Sequence, residues 1–158
     1  MSNKVLIGAT VAIAAVAVLL AVNSTGTPDS QANQPIVGEE VVVYKDPSCG
    51  CCGAYVSYLK SKGVAVNVQS VTDIDLVKDQ LGVPHNLMSC HTAEVGGYVV
   101  EGHVPLEVIG KLLAERPEIK GIALPGMPSG APGMPGPKTA PFTIYTIGGA
   151  EGEIYTSI

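Results

Sequence analysis

Val41-Val42-Val43-Tyr44-Lys45-Asp46-Pro47-Ser48-Cys49-Gly50-Cys51-Cys52 is the stretch on which the fold turns. Its β-branched start, Val41 to Tyr44, is bounded by Asp46-Pro47 and reads as a buried strand. Beyond it, Cys52, Tyr55, Val56 and Leu59 recur at helical spacing until Gly63 stops the helix. The cysteines therefore stand at a strand-to-helix junction. A thiol at a helix N-terminus meets the positive end of the helix dipole and unpaired backbone N–H groups, which favour thiolate. Thiolate is the form that binds metal or attacks a disulfide, so this junction is reactive by construction.

Outward from the junction, Val64 to Val71 alternates apolar and polar positions, a second strand. Asp73 or Asp75 caps a helix over Leu76, Val77 and Leu81, closed by Gly82 and Pro84. Asn86 to Glu94 and Tyr98 to Glu101 flank Gly96-Gly97, a hairpin signal. Leu106, Ile109, Leu112 and Leu113 then form the apolar stripe of a third helix that ends at Pro117. The order β-α-β-α-β-β-α is that of thioredoxin-like domains, so the expected fold is α/β, a mixed sheet with flanking helices. By that analogy Pro84 stands where such domains place a cis-proline. From about Gly121 the composition shifts: 11 of the 21 residues from Gly121 to Pro141 are Gly or Pro, which predicts no regular structure. Pro-Gly-Met-Pro occurs twice in this loop, at Pro125 and Pro132. Phe142 to Ile147 and Glu153 to Thr156 close the chain as a β-hairpin around Gly148-Gly149.

The chain has 158 residues and a formal charge of −5. At roughly 100–200 residues per domain, that length suits one compact domain. The absence of a basic excess excludes an electrostatic nucleic-acid binder. Four cysteines are too few for a disulfide-dense miniprotein, and no Gly-X-Y period runs through the sequence. No phosphate loop, paired catalytic carboxylates or serine triad stands out. Residues 5–22 carry no charge and are nearly all aliphatic, with Lys4 before them. Eighteen helical residues rise about 27 Å, close to the roughly 30 Å hydrocarbon core of a bilayer. Residues 1–23 thus read as a signal peptide or an N-terminal membrane anchor, with 5–22 as the membrane tether in the second case. Residues 24–40, rich in Ser, Thr, Asn, Gln and Pro near their start, read as a flexible tether. Residues 41–158 remain as the folded domain, expected in the periplasm or another extracytoplasmic space.

Two chemistries compete for the cysteines. Cys49 and Cys52 form a C-x-x-C pair, as in thiol–disulfide exchange, with Cys49 as nucleophile and Cys52 as resolving thiol. The third thiol, Cys51, is a competing disulfide partner that suits metal binding better than clean exchange. With Cys90 and His91 on another element, the cluster suits a thiophilic ion, and soft sulfur donors favour Cu(I). Met127 would add a thioether, and Met134 could do so if the loop folds back. A Cys49–Cys52 bridge would support exchange, whereas free thiols guarded by metal would support binding. A zinc-stabilised structural module with Cys/His ligands is a third reading. Regular strand alternation would point Cys90 and His91 to opposite faces, which weighs against His91 as a ligand. His103 is a weaker ligand candidate at the turn into the third helix. His85 is expected at the surface, Met88 in core packing, and Tyr55 and Tyr58 in helix packing.

Asp46-Pro47-Ser48-Cys49-Gly50-Cys51-Cys52, Ser89-Cys90-His91-Thr92-Ala93, Gly97-Tyr98, Glu101-Gly102-His103-Val104-Pro105 and Pro125-Gly126-Met127-Pro128 together resemble the CopG-like copper-resistance proteins. The resemblance covers about Val41 to Ser157. It implies an exported thioredoxin-like domain with a C-terminal extension, binding copper through Cys49, Cys51, Cys52 and Cys90, with Met127 contributed by the loop. It also implies a role in copper tolerance, interconversion of Cu(I) and Cu(II), and a copper efflux or redox partner. His91 and His103 match family motif positions without an assigned role. The family pattern has Trp and often His after the cysteines; Tyr55 and Tyr58 stand there in this chain.

Overall fold

The computed structural model describes Ile36, residues 38–150 and residues 152–158. The expected leader and most of the expected tether lie outside the described residues. Among the described residues, no helix is long and apolar enough to cross a membrane. Ile36, near the end of the tether stretch, is already buried in the main core.

The Val run forms β1 (Glu40–Lys45), with Val41 and Val43 fully buried. It leads into α1 (Gly50–Ser61), whose buried stripe is Cys52, Tyr55, Val56 and Leu59. Gly63, at φ +81°, takes the left-handed conformation that lets the chain turn back. β2 (Ala65–Ser70) runs parallel to β1, as a helical crossover requires. α2 (Ile74–Gln80) is capped by the Asp73 carboxylate, which accepts the Leu76 N–H at 3.0 Å. Its buried residue is Lys78, while Leu76 faces solvent, the reverse of the apolar face expected.

β3 (His91–Val95) and β4 (Tyr98–Glu101) form the expected hairpin, with Gly96 and Gly97 both at positive φ as a tight two-residue turn demands. The strand begins later than Asn86, however. His85–Leu87 is a single 3-10 turn, closed by the Leu87 N–H on the Pro84 carbonyl at 2.8 Å. The Ser89 N–H then goes to the Glu101 carboxylate instead of a strand partner, so regular pairing starts only at His91. Pro84 is not cis, because every described peptide bond is trans.

α3 (Leu106–Glu115) buries Val108, Ile109 and Leu112 and ends before Pro117. The Gly/Pro segment then departs from expectation at its start, where Gly121–Ala123 is a strand, β5, parallel to β4. Gly121 permits that pairing: a Cβ there would collide with the Val99 carbonyl. β6 (Thr143–Ile147) and β7 (Ile154–Ser157) form the closing hairpin, and β6 pairs with β5. The extension therefore continues one seven-stranded mixed sheet, ordered β2-β1-β3-β4-β5-β6-β7.

Side chains alternate across this sheet. Val41, Val43, Ala93, Val95, Val100, Ile122 and Ile144 face α1 and α3 in the main core, where Tyr55, Leu59, Ile109 and Leu112 meet them. Val99, Ala123 and Ile147 face the other way, against Val83 and Leu87 that follow α2. The α/β class, mixed sheet and flanking helices are as expected. Gly121→Ala is expected to lower unfolding free energy by about 1–3 kcal/mol through overpacking between β4 and β5. Urea melts read this; an unchanged midpoint would show that the extension is not clamped through that contact.

Candidate metal centre

The turn after β1 is set by Asp46. Its Oδ1 accepts the Ser48 N–H at 2.7 Å and the Ser48 hydroxyl at 2.5 Å, while its carbonyl accepts the Cys49 N–H at 3.1 Å. This places Cys49 at the N-cap of α1, where its sulfur accepts the Cys52 N–H at 3.3 Å. Cys49 and Cys52 are joined in a disulfide, with Cα atoms 5.4 Å apart; Cys51 and Cys90 are free thiols. The Cys51 sulfur lies 3.5 Å from that of Cys49, 3.7 Å from that of Cys90 and 4.0 Å from the Met127 sulfur. The four cysteine sulfurs lie within 4.8 Å of one another. Sulfur from three segments thus meets at the start of α1, within reach of a soft cation once thiolates are available.

On the inner side of Cys90 stand two buried imidazoles. Cys90 precedes β3 in a bend, so strand alternation does not separate it from His91: its sulfur lies 3.3 Å from His91 Nδ1. His103 Nε2 is 3.0 Å from the same sulfur. His103 Nδ1 donates to the Pro132 carbonyl at 2.7 Å, which leaves the Nε2 lone pair facing Cys90. His91 stacks on Tyr55 with centroids 4.5 Å apart, and its Nε2 is buried without a hydrogen-bond partner among the described residues. Tyr55 is itself fixed by its hydroxyl, which donates to the Val104 carbonyl at 2.8 Å. Cys90, His91 and His103 form a second set of donor atoms within 4.8 Å of one another, sharing Cys90 with the first.

The electrostatics disfavour charge on Cys90, His91 and His103. Burial, then the hydrogen bond and charge of Cys51, push the Cys90 thiol up to about 12. Burial, assisted by His103, Lys78 and Lys45, pushes His91 down to about 3. Burial also lowers His103, against the opposing hydrogen bond to Pro132. Both imidazoles are thus neutral near pH 7, the form that ligates metal.

The loop divides its two Pro-Gly-Met-Pro copies between different tasks. Met127, 52% exposed, stands at the outer edge of the sulfur cluster. Ser89 donates its hydroxyl to the Gly126 carbonyl beside it. Met134 packs against the main core instead. The second copy supplies Pro132 to His103, and Gly133 at φ +82° lies where a Cβ would stand 2.6 Å from the Tyr55 nitrogen. His85 is exposed beside Asp79, Met88 packs with the second core cluster, and Tyr58 accepts the Leu106 N–H. Sequence reasoning overlooked Lys78, Thr92 and Glu101, a buried polar group beneath the Cys90 turn. A lysine in a helix whose nominal apolar face is thin was the available signal.

His91 sets a pH dependence. Its folded value, about 3, lies below the ordinary 6.5, so between these values the unfolded chain binds a proton that the folded chain refuses. This contribution is complete above pH 6.5 and is lost as pH falls toward 3. Between pH 7 and 5 the parent is expected to lose about 2 kcal/mol more stability than His91→Phe. Parallel urea melts check this; equal losses would contradict it.

The family described as "Protein of unknown function, DUF411" matches residues 87–134. No curated protein matches the chain. A solved structure titled copper resistance protein CopG, form 2, is similar at 35% identity and a TM-score of 0.69, covering 76% of this chain and 98% of that one. A form 1 structure of the same title matches at 36% identity and a TM-score of 0.68, over 75% and 96% of the two chains. With that identity extending over nearly the whole of each relative, this chain belongs to the CopG-like copper-resistance family.

Proposed function

We propose that this chain is an exported copper-binding protein that captures Cu(I) at Cys49, Cys51, Cys52 and Cys90, with Met127 at the rim, and serves copper tolerance. One observation carries the reading: sulfurs from α1, the Cys90 turn and the Met127 loop gather around Cys51. Soft thiolate and thioether donors prefer Cu(I) to harder ions. His91 and His103 are neutral, buried and turned toward Cys90, so they can supply nitrogen to an ion at its inner side. The β1-α1-β2-α2-β3-β4-α3 portion is read as thioredoxin-like, since β1 pairs parallel with β2 and antiparallel with β3. Export rests on the charge order around residues 5–22.

The Cys49–Cys52 bridge gives this site a redox cycle. Oxidation of the two thiolates to the disulfide releases two electrons, enough to convert two Cu(II) to two Cu(I). Resetting the bridge consumes two electrons and two protons from a thiol reductant, which is the part a redox partner would play. Full sulfur ligation therefore belongs to the reduced state, while the sulfur donors of the bridged state are reduced to Cys51, Cys90 and Met127, beside the His91 and His103 nitrogens. The same bridge, with its N-cap sulfur, favours a second reading as a thiol–disulfide oxidoreductase with Cys49 attacking and Cys52 resolving. Turnover of a protein disulfide by metal-free protein, abolished in Cys49→Ser, would support that reading.

Competition for Cu(I) against a chromophoric chelator tests the first. Reduced protein is expected to bind Cu(I), and Cys90→Ser to weaken binding by about a hundredfold, roughly 3 kcal/mol. Met127→Leu is expected to weaken it by about tenfold or less, since its exposed thioether lies at the rim. Parental affinity in Cys90→Ser would overturn the four-sulfur site.

A further inference from the structure

The Lys78–Glu101 pair is buried on the sheet face away from α1, and neither residue belongs to the sulfur cluster. Yet its bonds end on both sides of Cys90-His91. Glu101 Oε1 accepts Lys78 Nζ at 2.5 Å and the Ser89 N–H at 2.6 Å. Glu101 Oε2 accepts the Thr92 hydroxyl at 2.6 Å, and Lys78 also donates to Thr92 Oγ1 at 3.0 Å. A buried ion pair is often no more stabilising than apolar residues of the same volume, so its contribution to stability does not explain its location.

We infer that Glu101, held by Lys78 and Thr92, is a positioning residue for Cys90: by taking the Ser89 N–H it fixes the bend that carries the Cys90 sulfur to Cys51. Were that N–H free, β3 could extend backward through Cys90. Strand alternation would then swing its side chain to the face opposite His91, away from the cluster. The bend also aims the Ser89 hydroxyl at the Gly126 carbonyl, so the same anchor places the loop that bears Met127. The geometry stands independently of copper; its consequence for affinity rests on the proposed copper site.

Two double variants of the full chain separate positioning from fold support. Lys78→Met with Glu101→Met removes both charges and the acceptor for Ser89. Lys78→Met with Glu101→Gln removes the charges but keeps an amide oxygen for the Ser89 N–H. In metal-free protein with the Cys49–Cys52 bridge intact, dibromobimane links Cys51 to Cys90 and fluoresces only when both thiols have displaced bromide. The Met/Met variant is expected to cross-link about tenfold more slowly or worse, and the Met/Gln variant within about twofold of the parent. Cu(I) affinity in the reduced proteins should fall in the same order, by about tenfold for Met/Met. Parental cross-linking in Met/Met, or an equal loss in folded Met/Gln, overturns the inference. Should Met/Met fail to fold, Thr92→Val provides the test: cross-linking about fivefold slower supports the grip on Glu101, and the parental rate overturns it. A parent that cross-links but takes up no Cu(I) would sink the copper reading and leave positioning standing.

Discussion

The antiparallel register of β1 with β3, in which Lys45 lies opposite His91, is the constraint on which the site depends. It places the last residue of one central strand beside the first residue of the other. Four residues beyond Lys45 the chain reaches Cys49; one residue before His91 it reaches Cys90. Two segments about forty residues apart are thereby delivered to the same end of the sheet by strand pairing, which brings the Cys51 and Cys90 sulfurs to 3.7 Å. The hydrophobic alternation of Val41 and Val43 against Ala93 and Val95 fixes that register, because a slip of one residue would turn each buried side chain to the other face. The apolar core thus sets the sulfur geometry.

The second determinant is neutrality. His91 and His103 pack with Tyr55, and Cys90 lies against both imidazoles, in a region where charge is poorly solvated; the amine groups of Lys45 and Lys78 further disfavour a protonated His91. Without an ion, these groups remain uncharged. At the proposed site a cation coordinated by the Cys90 sulfur would change that balance, because a thiol ligates as thiolate. Under the proposed function, metal binding and loss of the Cys90 proton would be one event, opposed by the burial that raises the thiol.

The elements with strong periodicity were legible in the sequence: β1, the α1 stripe, the β3–β4 turn at Gly96-Gly97 and the closing hairpin all stand near their expected positions. The Cys-x-Cys-Cys junction was equally readable, because a β-branched run followed by helical spacing leaves few alternatives. The misreadings share a cause. The strand expected from Asn86 is shortened by a hydrogen bond from Ser89 to Glu101, twelve residues away, which no local pattern records. The opposite-face expectation for Cys90 and His91 failed with it. β5 was hidden because Gly121 looked like a breaker, whereas here its missing side chain is what admits the neighbouring strand. Lys78 was passed over altogether, because the partner that buries it lies on another element.

The repeated Pro-Gly-Met-Pro shows the same limit in its sharpest form. Both copies place a glycine at positive φ before methionine, so their local backbones begin alike. Their fates diverge through what each glycine meets. A Cβ on Gly126 would project into open space, so its neighbour Met127 remains at the rim beside Cys51. A Cβ on Gly133 would strike the backbone of α1, so that copy is pressed against the helix and Met134 turns into the core. The pressed copy is what supplies the Pro132 carbonyl to His103 and holds its other ring nitrogen toward Cys90. A thioether at the rim and an oriented imidazole at the base therefore come from one duplicated tetrapeptide, distinguished only by the surfaces on which the copies lie.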